Sequence, residues 1–236
     1  MKDSIFPIII VFLVVDTLAL LSLLIYKILK EYRRHKIRHF GDWAEEVVAE
    51  TIREEFPGSI LLNNIFLKTP HGSTQLDHIL LCKWGIFVIE TKSHNGKINI
   101  GKKEWVQIYG DKVVHFHSPL LQNQIHVKAL EQTLKKHRAL AKMKVSGIVV
   151  FTSKKVSFSK RPEGVLRLHE LSPYIKSGGQ STNRRELLTA RPGRRYLTRQ
   201  KMEAVEKAIR KNSVKSSRKQ NLHEKKVRNL DRRKRV

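Results

Sequence analysis

The sequence predicts an α/β fold, a mixed sheet with helices against its faces, from three observations. Helical and extended segments alternate in the order α-β-β-β-α-β between residues 42 and 151. Residues 145–151, VSGIVVF, are a continuous apolar run suited to a buried strand. Residues 75–92 read as two apolar strands around a Lys83-Trp84 turn, with Asp77, Glu90 and Lys92 set among their hydrophobic residues. Charges in such strands are costly unless they are paired or bind a metal.

The first element, residues 5–26, is interrupted only by Pro7, Asp16, Thr17 and Ser22. A helix of that length is about 33 Å long, enough to cross a bilayer core. The run is long for a signal peptide, and no small-x-small cleavage site follows it. Lys27, Lys30, Arg33, Arg34, Lys36 and Arg38 come next, whereas Lys2 alone precedes it. That asymmetry predicts a single-pass membrane protein with its C-terminal side in the cytoplasm. Asp16 near mid-span costs on the order of 3 kcal/mol on insertion scales.

Residues 42–56 read as a helix stopped by Pro57-Gly58, and residues 60–67 as a strand. After the Pro70-His71-Gly72 turn and the strand pair come shorter strands at 97–100, 104–109 and 112–117. Pro119 opens a helix to about residue 141, where proline suits the first turn. Residues 165–168 read as an edge strand and 170–175 as a short helix, and SGGQSTN at 177–183 as a linker. The expected division is a transmembrane anchor with a basic flank over 1–38, a globular domain over 39–176, and a basic linker and tail over 177–236. The tail carries one helix candidate, 199–211, in an otherwise disordered arm.

The net charge is +26 over 236 residues, and it is uneven. Residues 184–236 hold 20 Lys and Arg against 5 Asp and Glu, a surplus of 15. Such a surplus points to a polyanion, nucleic acid or an anionic lipid surface. The single cysteine, Cys82, rules out an intrachain disulfide framework and multi-cysteine zinc sites. No P-loop, GxGxxG, GxSxG or HExxH motif occurs, leaving NTPase, dinucleotide-binding, serine-hydrolase and zincin chemistry without support. His115 and His117 share a strand face but lack a third ligand at suitable spacing.

If Cys82 faces Gly85, then Ile79 opposes Val88, Asp77 opposes Glu90 and Gln75 opposes Lys92. Opposed residues share a face about 5 Å apart at Cβ, so the three charged groups cluster. In the helix at 42–56, Val48, Ala49, Ile52 and Phe56 follow Glu45 at helical spacing, which puts that carboxylate on the apolar stripe. Gln122 lies near the start of the helix opened by Pro119 and can reach the same place. Alone, each has a bland reading: Glu45 as a helix-dipole partner, Asp77, Glu90 and Lys92 as a strand-end ion pair, and Gln122 as a surface residue. Together they are the groups that phosphodiester hydrolysis uses. Mg²⁺ or Mn²⁺ held by Asp77, Glu90 and Glu45 would act as a Lewis acid and acidify a water, with Lys92 facing the nucleophile.

Several stretches resemble one family: Gly41-Asp42-Trp43-Ala44-Glu45 leading to Val48-Ala49; Asn63-Asn64-Ile65; Thr74-Gln75-Leu76-Asp77-His78; and Gly85-Ile86-Phe87-Val88-Ile89-Glu90-Thr91-Lys92. Asn95-Gly96-Lys97-Ile98, Trp105, Pro119-Leu120, Gln122-Asn123 and His126 continue the likeness. The set resembles the nuclease-related domain (NERD), usually placed near the PD-(D/E)xK nuclease superfamily. Ala44 stands where a second glycine is frequent, and Ser118 where asparagine is frequent. The resemblance implies a restriction-endonuclease-like core over about residues 39–151, with Glu45, Asp77, Glu90, Lys92 and Gln122 in active-site positions. The expected function is a membrane-anchored, metal-dependent nuclease acting on nucleic acid, with DNA the expected substrate. The alternative is a non-catalytic tethered module that binds nucleic acid or protein.

Overall fold

A computed structural model describes residues 5–70, 72–179 and 197–214, and for residues 5–12, 14 and 33–38 the helical backbone without side chains. Parts of the expected linker and tail, residues 180–196 and 215–236, lie outside the described residues. The chain divides into two units, Met1–Trp43 and Ala44–Val236.

The division falls inside α1 (Ile5–Glu55). The sequence suggested two helices here. Residues 27–41 contain no proline, and Gly41 alone costs only about 1 kcal/mol in a helix interior. In the first unit Leu18, Leu20, Leu21, Leu23 and Leu24 are all exposed. Among the described residues no helix is long and apolar enough to cross a membrane. The membrane expectation rests on residues 5–26, of which the side chains of 5–12 and 14 are not described.

The second unit holds two sheets. The larger has the order β1-β2-β3-β7-β9, formed by β1 (Ile60–Thr69), β2 (Gly72–Cys82), β3 (Gly85–Lys92), β7 (Val145–Phe151) and β9 (Val165–Arg167). β1, β2 and β3 are antiparallel, and β7 and β9 add in parallel, so the sheet is mixed. A parallel β3–β7 step needs a long crossover. That crossover carries a second sheet and a helix: β4 (Gly96–Asn99), β5 (Glu104–Tyr109) and β6 (Lys112–His117), then α2 (Pro119–Lys135). β8 (Val156–Phe158) completes the second sheet, ordered β6-β5-β4-β8. Its three residues are too short for a sequence signal, and the sequence did not reveal that the short strands form a sheet of their own.

Alternation along β3 separates two cores. Ile86 and Val88 pack with Ala129, Leu130 and Leu134 of α2, whereas Phe87 and Ile89 pack with Val48, Ile52 and Phe56 of α1. α2 begins on the Ser118 hydroxyl, which accepts from the Leu121 amide, and it ends at Lys135 rather than near residue 141. Past it, the His137 and Leu140 amides donate to the carbonyls of Leu134 and His137, so tight turns replace the last helical stretch.

A short helix, α3 (Leu171–Lys176), and α4 (Arg199–Asn212) follow. The helix expected at 199–211 within the tail is present as α4, and it packs on the domain instead of standing in a free arm. Met202, Val205, Ala208 and Ile209 form an apolar stripe at helical spacing, buried in one cluster with Leu62, Leu67 and Leu134. The Leu197 amide donates to Lys83 O and the Val214 amide to Phe66 O, tying both ends of α4 to the main sheet.

Candidate active site

The site lies where β2 leaves β3. The antiparallel register runs Cys82–Gly85, Leu81–Ile86, Ile79–Val88 and stops at His78–Ile89. β3 continues beside β7 through Glu90–Val149 to Lys92–Phe151. On its other side, the β1–β2 register skips Asn64, whose φ of 54° interrupts the strand between the Asn63–His78 and Ile65–Leu76 pairs. Asp77 therefore sits at a break in both ladders. Its Oδ2 accepts from the Thr91 amide at 2.9 Å, standing in for the missing backbone partner. The expected cross-strand pairings of Asp77 with Glu90 and of Gln75 with Lys92 do not form, because the ladder ends one step before them. Gln75 pairs with Phe66 and donates to Asn64 Oδ1 at 2.7 Å.

Glu90 is buried, and its two oxygens have different surroundings. Oε1 accepts from Lys92 Nζ at 2.6 Å. Oε2 lies 3.2 Å from His126 Nε2; both atoms are buried, and neither completes a hydrogen bond among the described residues. Lys92 Nζ donates also to Gln122 Oε1 at 3.2 Å. His126 Nδ1 is 2.9 Å from the Thr74 hydroxyl. Asn123, between the two α2 contacts, donates from Nδ2 to Val88 O at 3.2 Å and Ile148 O at 2.9 Å. It pins α2 across β3 and β7. Gly147 makes room for that pin, since a Cβ there would meet Asn123 Nδ2 at 3.1 Å.

Burial pushes the Asp77 carboxyl up to about 7, helped by the charge of Glu90; the Thr91 amide, Lys92 and His126 pull the other way. Burial also works to raise Glu90, but the His126 contact and Lys92 outweigh it and hold that carboxyl below its usual value. Two neighbouring acids are thus set apart, Asp77 holding its proton towards neutral pH and Glu90 giving it up below the ordinary carboxylate range. Burial and the nearby Lys92 charge depress His94 to about 4, with its ring stacked on Phe116.

Of the residues singled out from sequence, Asp77, Glu90, Lys92 and Gln122 come together. Glu45 is half-buried in α1, whose stripe Val48, Ile52 and Phe56 covers the opposite face of the sheet from α2. His115 pairs with Glu104 at 3.0 Å on an exposed strand. His126 and Thr74 were not singled out as site residues. His126 was legible in one respect: it follows Gln122 by four residues, on the same helix face.

Among the described residues no group of three or more His, Cys, Asp or Glu side chains is arranged to hold a metal ion. The donor set nevertheless fits a hard divalent cation. Mg²⁺ is held by one or two carboxylates and keeps much of its water. Asp77 and Glu90 supply two carboxylates, and Glu90 Oε2 is a buried acceptor without a hydrogen bond.

The site thus brings two acids and a lysine together at a strand divergence in a mixed sheet. Residues 40–152 match the family model described as the nuclease-related domain, NERD, and this part of the chain is a nuclease-related domain. A protein of Bacillus anthracis, itself described as uncharacterized, is 29% identical over 149 residues, covering 61% of this chain and 70% of that one. No solved structure matches the chain significantly.

Proposed function

We propose that the protein is a divalent-metal-dependent nuclease held at the cytoplasmic face of a membrane, hydrolysing phosphodiester bonds in DNA. The observation that carries this reading is the meeting of three groups where β2 leaves β3: Asp77 accepts from the Thr91 amide, between Glu90 and Lys92, and Lys92 bonds both Glu90 and Gln122 of α2. Asp77 and Glu90 would hold Mg²⁺ or Mn²⁺; Glu45, the third carboxylate expected from the sequence, would have to reach them from the helix on the other face of the sheet. When bound, that ion would supply Lewis acidity toward the phosphoryl oxygens and acidify a water. Lys92 sits between Glu90 and Gln122, so its ammonium is oriented rather than free to sweep the cleft. In that position it neutralises charge developing on the phosphate. Residues of the basic tail supply sequence-independent phosphate contacts.

Membrane attachment is argued from the apolar run 5–26 and the basic residues that follow it. The row of exposed leucines from Leu18 to Leu24 supports it, because such a surface is costly to leave in water. The competing reading, a non-catalytic tethered binding module, draws on the lack of a three-ligand metal group among the described residues.

The test is a cleavage assay of the full chain on single- and double-stranded DNA and RNA with Mg²⁺ or Mn²⁺. The nuclease reading expects metal-dependent product that disappears in Glu90→Ala and in Lys92→Ala while circular dichroism stays unchanged. Salt-sensitive binding that survives Glu90→Ala, with no product under any divalent metal, would establish the binding module instead.

A further inference from the structure

α2 and β3 meet in matched steps. Four residues along a helix rise about 6 Å, and two residues along a strand rise about 6.6 Å. Gln122 and His126 are four apart on α2; Lys92 and Glu90 are two apart on β3. Gln122 takes the lysine at 3.2 Å and His126 faces the glutamate at 3.2 Å. The helix thus grips both charged groups at once, with Asn123 fixing its height over the strand.

We propose that Thr74 and His126 form a positioning relay for Glu90, in which the Thr74 hydroxyl donates to Nδ1 and thereby leaves the imidazole proton on Nε2, facing Glu90 Oε2. The inference rests on the metal-dependent nuclease reading of the same site. A neutral imidazole has one donor and one acceptor nitrogen, so whatever bonds Nδ1 decides which nitrogen carries the proton. Thr74 Oγ1 is 2.9 Å from Nδ1. Nε2 and Oε2 are both buried and each lacks a hydrogen bond among the described residues. Leaving such a buried donor and acceptor unpaired is costly, so a small ring rotation that closes the bond is favoured. A carboxylate oxygen has two lone pairs. It can accept the Nε2 proton and still ligate an ion, and metal-binding carboxylates are themselves hydrogen-bonded in this manner.

His126 acts through Glu90, and Thr74 acts through His126. Thr74 belongs to β2 and touches neither Glu90 nor Lys92 in any contact described here, yet it should control the orientation of the carboxylate. A purely structural role would move stability alone.

Two readouts on the full chain test the relay. The first is the ¹⁵N spectrum of histidine-labelled protein at pH 8, with His126→Gln used to assign the signal. The relay expects Nε2 protonated and Nδ1 bare, a state lost in Thr74→Val and restored in Thr74→Ser. A proton found on Nδ1 would overturn it, whether or not the protein cuts nucleic acid. The second is Mn²⁺ affinity by calorimetry, alongside the melting temperature. Thr74→Val should weaken Mn²⁺ binding by about 10- to 100-fold, Thr74→Ser should restore it, and Thr74→Val with His126→Gln should lose no more than His126→Gln alone. Thr74→Val that binds Mn²⁺ as tightly as the wild type would also overturn the relay, even if its melting temperature fell. A wild-type chain that neither binds Mn²⁺ nor cleaves would remove the nuclease reading, and the nitrogen spectrum would still decide the relay.

Discussion

Lys92 Nζ stands 2.6 Å from Glu90 Oε1, two residues back on the same strand and on the same face. An ammonium so close to a buried carboxylate keeps that carboxylate ionised and pointed, which is the state a metal ligand needs. Lys92→Met should leave Glu90 buried without its cation. Nuclease activity is expected to fall by at least about 10²-fold, the size of loss seen when one group that stabilises transition-state charge is removed. Steady-state cleavage rates with circular dichroism as a fold control check this, and near-wild-type cleavage would contradict it.

Metal-free stability should carry two opposed pH dependences. Asp77 has a folded value of about 7, above its ordinary value of 3.8, so it favours folding when protonated; that contribution is present at acidic pH and is lost as pH rises through about 7. His94 has a folded value of about 4, below its ordinary value of 6.5, so it favours folding when neutral; its contribution is present above 6.5 and is lost as pH falls towards 4. Between pH 4 and pH 6.5 the two slopes oppose each other. Asp77→Asn should therefore make the protein lose stability on acidification from pH 6.5 to 4.5. His94→Phe should make it gain stability over the same range. Urea unfolding in chelator at both pH values reads the signs, and equal slopes in the two variants would contradict the assignment.

The helix α4 should contribute to the stability of the domain. Ile209 is fully buried beside Leu67 and Leu134, so Ile209→Ala is expected to cost about 2–5 kcal/mol. An exposed arm would lose almost nothing. Denaturant midpoints of the wild type and the variant separate the two outcomes.

Residues 215–236 carry a dense run of Lys and Arg. Their deletion should weaken DNA binding most at low salt and flatten its dependence on salt concentration. Binding to anionic vesicles measured in parallel shows whether the same charges serve lipid. Loss confined to vesicles would contradict a role in phosphate contact.

The parts of the fold that the sequence made legible were those with a strong period or a hard stop. β5, β6 and β7 have the expected bounds because Gly110-Asp111, Pro119 and the VSGIVVF run punctuate them. The Asp77–Glu90 neighbourhood followed from a two-residue turn, since the register set by Cys82 and Gly85 holds as far as His78–Ile89, one step short of those two acids. What escaped depends on contacts distant in sequence. The parting of β2 from β3 at His78 coincides with the Asn64 interruption on the β1 side of β2. α4 was visible as a helix, but its stripe does not announce that it packs on β1 and α2. His126 carried part of the family likeness without a role, and its place one turn after Gln122 is what brings it to Glu90.

The most direct test of the central claim is the electron paramagnetic resonance signal of free Mn²⁺ titrated with the full chain. The account predicts that the wild type removes close to one equivalent of signal, and that Asp77→Asn and Glu90→Gln do so far less at the same concentrations. Wild-type protein that leaves the Mn²⁺ signal unchanged, or variants that remove it equally well, would contradict the claim that these two carboxylates share an ion.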